Sequence, residues 1–529
     1  MHDTTFLPDG RVQQGTLKKT MGEPYLRILD NLGNRIPFSA VVDPPFEGAA
    51  TGRRMSTWGT TTVGPNASLY NSLSRLRSRS RELIRNNPLI QGGVDSYVAN
   101  AISSGIFPRW QIDDPCLKKD IQDLWDDFVL RADYYGMSSF YGLQSLVFNG
   151  LIDAGEILSR KVPRGSSLGL PIPLQIQILE ADHLDETYNT IAPGGKEVRM
   201  GIEIDGEGHR LAYWLWSEHP GEAFITMRGL SQRIRIPARE IDHIYRPVRA
   251  GQMRGRPWLA SVIVKMHEYD QYDDAELVRK KGASILGCGF IKEPQSPIDP
   301  AKYFTKRSAN DKTTDKNDPP TFRLEPGTYP LLPAGMEPVF PDPPDVGQNY
   351  ETYIKQQLHQ VARGMGITYE QLTGDLSGVN YSSIRAGLLE FRRQVTQLQM
   401  ETMVFQFCQP TAVAFMDAAV ISGAIKIRDY YNNRGKYLKI RWRPDGWPWV
   451  DPVKDQLSEQ MAVRNGFKSR AQVVAERGGD VDTVDREIAE DNARADGLGL
   501  IFDSDPRQTA QSGSFQKVAA QVVAASLQN

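Results

Sequence analysis

The sequence predicts an α+β protein that is mainly helical, and three observations carry that reading. Apolar residues recur at helical spacing between positions 69 and 129. The rhythm changes to strands between 156 and 248. Helical spacing then returns in long segments at 258–281, 348–364 and 382–409. A chain of 529 residues is too long for a single core, so roughly two to four structural units are expected.

Residues 1–66 are rich in Gly, Pro, Thr and Ser and read as an extended or partly disordered arm. Order begins near Leu69. Leu73, Leu76, Leu83 and Ile84, then Val94, Val98 and Ile102, mark one face of a helical stretch that Asn87-Pro88 divides in two. Leu117, Ile121, Leu124, Trp125 and Phe128 predict a helix over 117–129, and 144–151 a shorter one. EILSRKV, LQIQILEADHL, GIEIDGEGHRLAYWLW and QRIRIPAREIDHIYR read as strands, with GEGH as a hairpin turn.

A helix of about 25 residues follows at 258–281. Residues 294–344 hold 12 of the 34 prolines and are not helical, although FIKEP, TFRLEPG and GTYPLLPAG could form short strands. The two helices flanking this insert must bring the chain back to where it left. The helix over 382–409 spans roughly 42 Å, is expected to kink at Pro410 and continues towards Ile421. A strand YLKIRWRP, a turn DGWPWVDP and helices at 453–465, 470–475 and 481–495 end the ordered part.

The composition excludes several classes of function. Net charge is −2, so the chain is not a general polyanion binder. The three cysteines, Cys116, Cys288 and Cys408, lie far apart and form no CxxC pair; they read as buried small hydrophobes in a reducing compartment. No run of 18 apolar residues exists and no signal-peptide pattern opens the chain, so neither a membrane helix nor export is expected. GxxxxGK[ST], GxSxG and HExxH are absent, and GCGFIK has two glycines but no third. Asp182, His183, Asp185 and Glu186 form the most metal-like group. Without a second His at helical spacing they read as a solvated strand end, as do Asp242 and His243. No catalytic, cofactor or metal site is expected.

Two polar constellations remain. The first is the stretch from Leu358 to Gly387, LHQVARGMGITYEQLTGDLSGVNYSSIRAG, in which Thr373, Gly374, Asp375, Leu376, Ser377, Gly378, Val379, Asn380 and Tyr381 form a polar loop held between two helices. Such a loop can project from a rigid frame and touch something that moves past it. It holds no Lys or Arg before Arg385, so a steric or weakly hydrogen-bonding role is expected. The second is Glu268, Asp270, Asp273, Asp274 and Glu276, followed by Arg279, Lys280 and Lys281. The helix dipole explains the basic end but not five acids within nine residues. A ring of such helices would present a negative wall along which DNA slides without sticking. The arginines Arg75, Arg77, Arg79, Arg81 and Arg85 are spaced by two or four and read as surface, as a protein contact or as a phosphate contact.

In their order, ELIRNNPLIQGGVDSYVANAI, LEADHLDE, GIEIDGEGHRLAYWLWSEHPGE, IPAREIDHIYRPVRAGQMRGRPWLASVI, TYEQLTGDLSGVNYSSIRAGLLEFRR and the WRPDGWPWVDP segment resemble the lambda-type portal proteins of tailed bacteriophages, from about Arg75 to Ala495. The resemblance implies a homo-oligomeric ring, commonly of twelve subunits, at a unique capsid vertex of the virion, assembled in host cytoplasm. Double-stranded DNA passes through its channel during packaging and ejection. Implied partners are the terminase large subunit, the major capsid protein and scaffold, and head-completion or adaptor proteins, with no cofactor, no membrane and no catalysis of its own. Carried onto this chain, the wing would be 67–257, the stem helices 258–283 and 346–366, and the clip 284–345. The tunnel-loop region would be 367–383, the long kinked wing helix and its connection 384–436, the crown 437–500 and a tail 501–529. The competing readings are a metal-dependent nuclease that uses scattered carboxylates and a tail or baseplate structural protein.

Overall fold

The computed structural model describes residues 62–165, 168–192, 194–222, 232–286, 350–447 and 452–502, together with Gly59 and six short strands outside those ranges. The chain divides into two units, residues 1–64 and 65–529. In the first, β1 (His2–Phe6) pairs antiparallel with β2 (Val12–Thr16), and β3 (Ile28–Leu29) with β4 (Arg35–Ile36). Pro65 and Asn66, expected to end an extended arm, already begin the first helix of the second unit; apart from Gly59 and residues 62–64, the rest of that stretch lies outside the described residues.

The second unit opens with α1 (Pro65–Tyr70), α2 (Leu73–Asn86) and α3 (Pro88–Ile102). Asn87 separates α2 from α3 as the sequence predicts. Its Oδ1 accepts from the Ile90 N–H at 3.0 Å and caps α3, with Pro88 at the first helical position. Its Nδ2 also donates to Asp270 at 2.7 Å, so one side chain caps a helix and fixes another. Asn87→Ala is expected to lose about 1–2 kcal/mol, read as a lower denaturation midpoint.

Then come β5 (Ile106–Trp110), α4 (Pro115–Arg131) and α5 (Phe140–Asp153). Three antiparallel sheets follow, two of them built from the strands whose alternation the sequence shows. One runs β13–β6–β7 (Ile241–Tyr245, Glu156–Pro163, Leu174–Glu180). A second runs β12–β11–β10–β9–β8 (Arg233–Pro237, Arg210–Trp216, Ile202–Ile204, Lys196–Arg199, Thr190–Ala192). GEGH is a turn: Asp205 Oδ1 accepts from the N–H groups of Glu207 and His209 at 2.9 and 2.8 Å, and Gly208 takes a φ of 91°. In the third, β5 pairs with β16 (Ile440–Pro444), which joins the start of the unit to its end. The sequence reading missed β5 because Pro108 sits in it; a two-stranded edge tolerates that residue.

The chain continues through α6 (Ile263–Leu286), a short parallel pair β14 (Ile291–Lys292) and β15 (Leu331–Leu332), α7 (Tyr350–Met365), α8 (Tyr369–Thr373) and α9 (Tyr381–Leu398). Trp258–Ser261, expected to start the first long helix, is a separate 3-10 turn, and α6 runs past Gly282 to Leu286. Pro410 does not break the next helix. Residues Gln399–Cys408 widen into a π-helical segment, and α10 (Gln409–Ser422) continues from it. Then follow α11 (Arg434–Tyr437), α12 (Pro452–Arg464), α13 (Arg470–Glu476) and α14 (Val481–Leu498).

One 18-residue window of the continuous helix Ser383–Ser422, 40 residues long, is apolar enough to cross a membrane, although no uninterrupted apolar run signals it. Here Phe391, Val395, Leu398, Met403, Phe407 and Phe415 on that helix are buried in the main core. They meet Trp110, Trp125, Phe128 and Phe140; the rings of Trp125 and Phe415 sit edge to face at 5.1 Å. The helix is therefore the axis of the core. Of the cysteines, Cys408 lies in this core, whereas Cys116 is exposed, contrary to expectation, because it falls in the first turn of α4 on the solvent side. Cys288 lies outside the described residues.

A buried polar network holds the sheets to the first helices. The Glu156 carboxylate, fully buried, accepts from Arg254 Nε at 2.8 Å, the Gly255 N–H at 2.6 Å and His243 Nε2 at 2.9 Å. Arg254 spends its other donors on the carbonyls of Ala181, Leu184 and Met200. Burial pushes His243 down to about 4, so the ring is neutral at pH 7, and its Nδ1 accepts from Arg210 at 3.1 Å. Burial likewise raises Asp242, which pairs with Lys161 at 2.6 Å, to about 6. Asp242 and His243 thus correct the expectation of a solvated strand end. Beside the network, backbone meets backbone. Gly155 has a φ of 84°, and a Cβ there would lie 2.1 Å from the Arg256 carbonyl carbon; a Cβ at Gly255 would lie 2.1 Å from the Gly155 oxygen. Gly155→Ala is expected to cost about 2–5 kcal/mol from strain and overpacking, seen as a lower thermal midpoint or loss of soluble chain.

Candidate nucleic-acid interface

The polar loop is built on a fixed base. Thr368 opens α8 with a capping box: its Oγ1 accepts from the Gln371 N–H at 3.3 Å, and the Gln371 side chain accepts from the Thr368 N–H at 3.0 Å. Ile367 and Leu372 are buried, and they pack over Gly93 of α3, where an added Cβ would come within 3.0 Å of Ile367 and 3.2 Å of Leu372. Gly374 ends α8 in the left-handed region, with a φ of 72°. Asp375 then folds the loop on itself, accepting from the Ser377 N–H at 2.9 Å and the Ser377 hydroxyl at 2.6 Å. These bonds hold its carboxyl below the usual range. Asn380 closes the loop and starts α9, its Oδ1 accepting from the Ser383 N–H at 2.9 Å.

Between the two caps, Gly374, Leu376, Ser377, Gly378 and Asn380 are exposed, while Thr373, Asp375 and Val379 are half-buried. Leu376 is 63% exposed, so the tip of the loop offers an apolar side chain as well as hydroxyls. The sequence reading found no base in the loop. The fold supplies one from α7: a Cβ at Gly378 would lie 3.5 Å from Lys355 Nζ, and that ammonium sits 5.5 Å over the Tyr369 ring. Lys355 lies more than twenty positions before the loop's centre, so only the hairpin of α7 and α8 reveals it. Arg385, the first base after the loop, instead binds Asp455 of α12 at 2.9 Å.

The second constellation lies on α6, which packs antiparallel to α7. Lys265 donates to Gln360, Asp273 accepts from the Tyr350 hydroxyl at 2.8 Å, and Tyr272 meets Tyr350 and Tyr353 at 5.8 and 5.9 Å between ring centres. Increasing numbers on one helix meet decreasing numbers on the other, so the pair returns the chain to its starting level. Three of the five acids have partners in the same chain. Asp270 accepts from Asn87, Asp273 from Tyr350, and Glu276 from Arg279 at 2.9 Å, with Lys280 3.9 Å away. Glu268 and Asp274 are exposed. Lys280 lies 5.3 Å over the Tyr350 ring, and Lys281 is exposed.

The remaining polar groups of the sequence reading are internal. Arg77 is buried, 2.8 Å from Glu186, 3.4 Å from Asp182 and 3.6 Å from Glu156. Arg81 reaches Asp182 at 2.7 Å and Glu180 at 2.9 Å. Four residues apart on α2, the two arginines face inward, while Arg75, Arg79 and Arg85 face solvent. Asp185 is buried and binds Arg233 at 2.6 Å. The group Asp182–Glu186 is therefore an ion-pair hub, not a solvated strand end. Glu180, Asp182 and His219 place ligand atoms within 4.8 Å of one another. The Arg81 guanidinium already bridges the two carboxylates, and a cation there would meet its charge.

Comparisons with known proteins find phage portal proteins among the relatives of this chain. A family profile described as phage portal protein, lambda family, matches residues 51–399. A probable portal protein of Halomonas phage phiHAP-1 is 30% identical over 374 residues, which cover 70% of this chain and 69% of that protein. Portal protein B of Escherichia phage lambda is 19% identical over 521 residues, covering 89% and 95%. A chain in the neck of a native gene transfer agent particle, computed with C12 symmetry, aligns over 81% of this chain and 99% of its own length at 17% identity, with a TM-score of 0.39.

Proposed function

The chain belongs to the lambda family of phage portal proteins, and from that membership we propose how its segments divide the work. As a member of a virion-protein family it serves the packaging of the phage genome. In our reading twelve copies form a ring with a central channel, and the ring is a passive conduit without catalysis of its own. The antiparallel pair α6 and α7 is the stem. The insert 284–345, largely outside the described residues, is the clip on which the terminase docks. The sheets and first helices form the wing, residues 437–500 the crown, and Thr373–Tyr381 the loop that lines the channel. Contacts with capsid, scaffold and head-completion proteins fall to the outer faces.

One observation supports this assignment above the others: a capped loop with an exposed tip stands on a base packed against α3, beside a helix pair that returns the chain to its starting level. A loop so held can narrow a channel and still flex. Because Asp375 carries negative charge and Lys355 stands beside it, the loop meets DNA by shape and by one weak phosphate contact. Glu268 and Asp274 keep the stem wall negative and DNA mobile.

Mass photometry of the purified chain, with and without magnesium and DNA, tests the reading. A particle of about twelve monomer masses that leaves DNA intact is expected. A monomer that degrades DNA points instead to a nuclease, and a closed assembly without a pore to a tail component. Lys355→Glu is expected to leave the ring mass unchanged and to lower packaged DNA, measured as nuclease-protected genome per particle.

A further inference from the structure

A cavity of about 170 Å³ opens where α3, the turn after β13, the entry to α6, the end of α7 and α9 come together. It is well above the ~10–15 Å³ that admits one water and well below the roughly 300 Å³ of pockets for drug-sized molecules, so it takes a small group. Arg246, Arg256 and Arg363 line it from three separate segments, and among the described residues no carboxylate does. All three arginines are exposed, and among the described residues none of their guanidinium groups forms an ion pair or a hydrogen bond. Three like charges around one small volume repel one another, and an anion placed between them turns that repulsion into attraction.

Tyr97, in the same wall, points to a ligand independently. It is only 5% exposed, yet its hydroxyl has no hydrogen-bond partner among the described residues. Its ring is held by Phe148, Trp258 and Phe391, at 5.7, 5.6 and 5.3 Å between ring centres. The hydroxyl meets the cavity beside Gly366, where a Cβ would lie 3.9 Å from Tyr97 Oη and 3.3 Å from Gln394 Oε1. Burial pushes Tyr97 up to about 12, so the group is a hydrogen-bond donor at neutral pH. Buried hydroxyls pair almost without exception, and an anion in the cavity supplies the acceptor that this one lacks. Gly364 fixes another wall, since a Cβ there would lie 2.4 Å from Val262 Cγ1 and 3.6 Å from Ser261 Oγ.

We propose that this cavity binds a single phosphate group, held by Arg246, Arg256 and Arg363 and by the Tyr97 hydroxyl. The donors come from four segments of the chain. A tetrahedral phosphate offers oxygens in that many directions, whereas a planar carboxylate is matched by one guanidinium fork. The group is either free inorganic phosphate or one phosphodiester of a nucleic acid lying across the mouth. Once bound, it ties α3 and the turn after β13 to the place where α6 begins and α7 ends, next to the α8 that carries the loop. The proposal goes beyond the channel reading and does not depend on ring formation.

The test is equilibrium dialysis of the full chain against radiolabelled inorganic phosphate, with ionic strength held constant by chloride. Saturable binding of a single phosphate per chain is expected. Arg363→Gln changes an exposed side chain and is expected to weaken binding roughly tenfold or more; Tyr97→Phe keeps the buried ring and is expected to weaken it about two- to tenfold. A short duplex that displaces the label from wild type identifies a nucleic-acid phosphodiester as an occupant, and a duplex that leaves the label in place identifies free phosphate; both support the site. Absence of saturable binding overturns it, as does binding that both variants leave unchanged. If wild type takes up no phosphate and Arg363→Gln lowers the mass of the assembly, the cavity receives a carboxylate of a second copy, which also overturns the proposal. Thermal melts in chloride report folding separately, and Arg246→Gln replaces any variant whose midpoint falls.

Discussion

Glu156→Gln is expected to destabilise the chain by about 3–5 kcal/mol, because Arg254 would then be a buried cation without its counter-charge. The substitution keeps the shape and one acceptor oxygen but removes the charge that Arg254, Arg77 and His243 all face. The pH dependence has a definite sign. Burial alone would raise the Glu156 carboxyl, but Arg254 and His243 more than reverse this and hold it well below its ordinary value of 4.5. The unfolded chain therefore takes up this proton first as pH falls. The stabilisation is complete above pH 4.5 and is lost progressively below it. The difference between wild type and Glu156→Gln is expected to be constant above that pH and to shrink beneath it. Thermal melts of the two proteins across an acid series check this.

Removing Asp375–Val379 and closing the gap with Gly-Ser is expected to abolish genome packaging while leaving the ring intact. The caps at Thr368 and Asn380 lie outside the deletion, so α8 and α9 keep their ends. Leu372 and Ile367 still anchor the base over Gly93. The expected particles contain portal rings of normal mass and little nuclease-protected DNA. Normal packaging without these residues would remove the loop from the channel mechanism. Loss of the rings would assign it to assembly instead.

Most helices were legible because burial enforces a 3.6-residue period. Ile121, Trp125 and Phe128 mark the buried face of α4, as their spacing predicts. The caps were legible where chemistry is local, as at Asn87-Pro88. Pairings set by distant chain were not legible. β5 is a strand because β16, more than three hundred positions later, supplies its ladder. Arg77 and Arg81 look like surface residues until β6 and β7 bring Glu156, Asp182 and Glu180 beneath them. The neutrality of His243 has no signal in sequence, since it depends on burial beside Glu156, Arg210 and Arg254 from three other segments. At the loop, the turn chemistry of Gly374, Asp375 and Asn380 was visible. Lys355, a base beside it, was hidden by the hairpin between α7 and α8.

The arrangement of copies around a channel is tested most directly by electron cryomicroscopy of the purified full-length chain. The account predicts a closed ring whose pore is wide enough for a duplex and whose inner wall carries Thr373–Tyr381. A particle with those residues on its outer rim, or no annular particle, would contradict it.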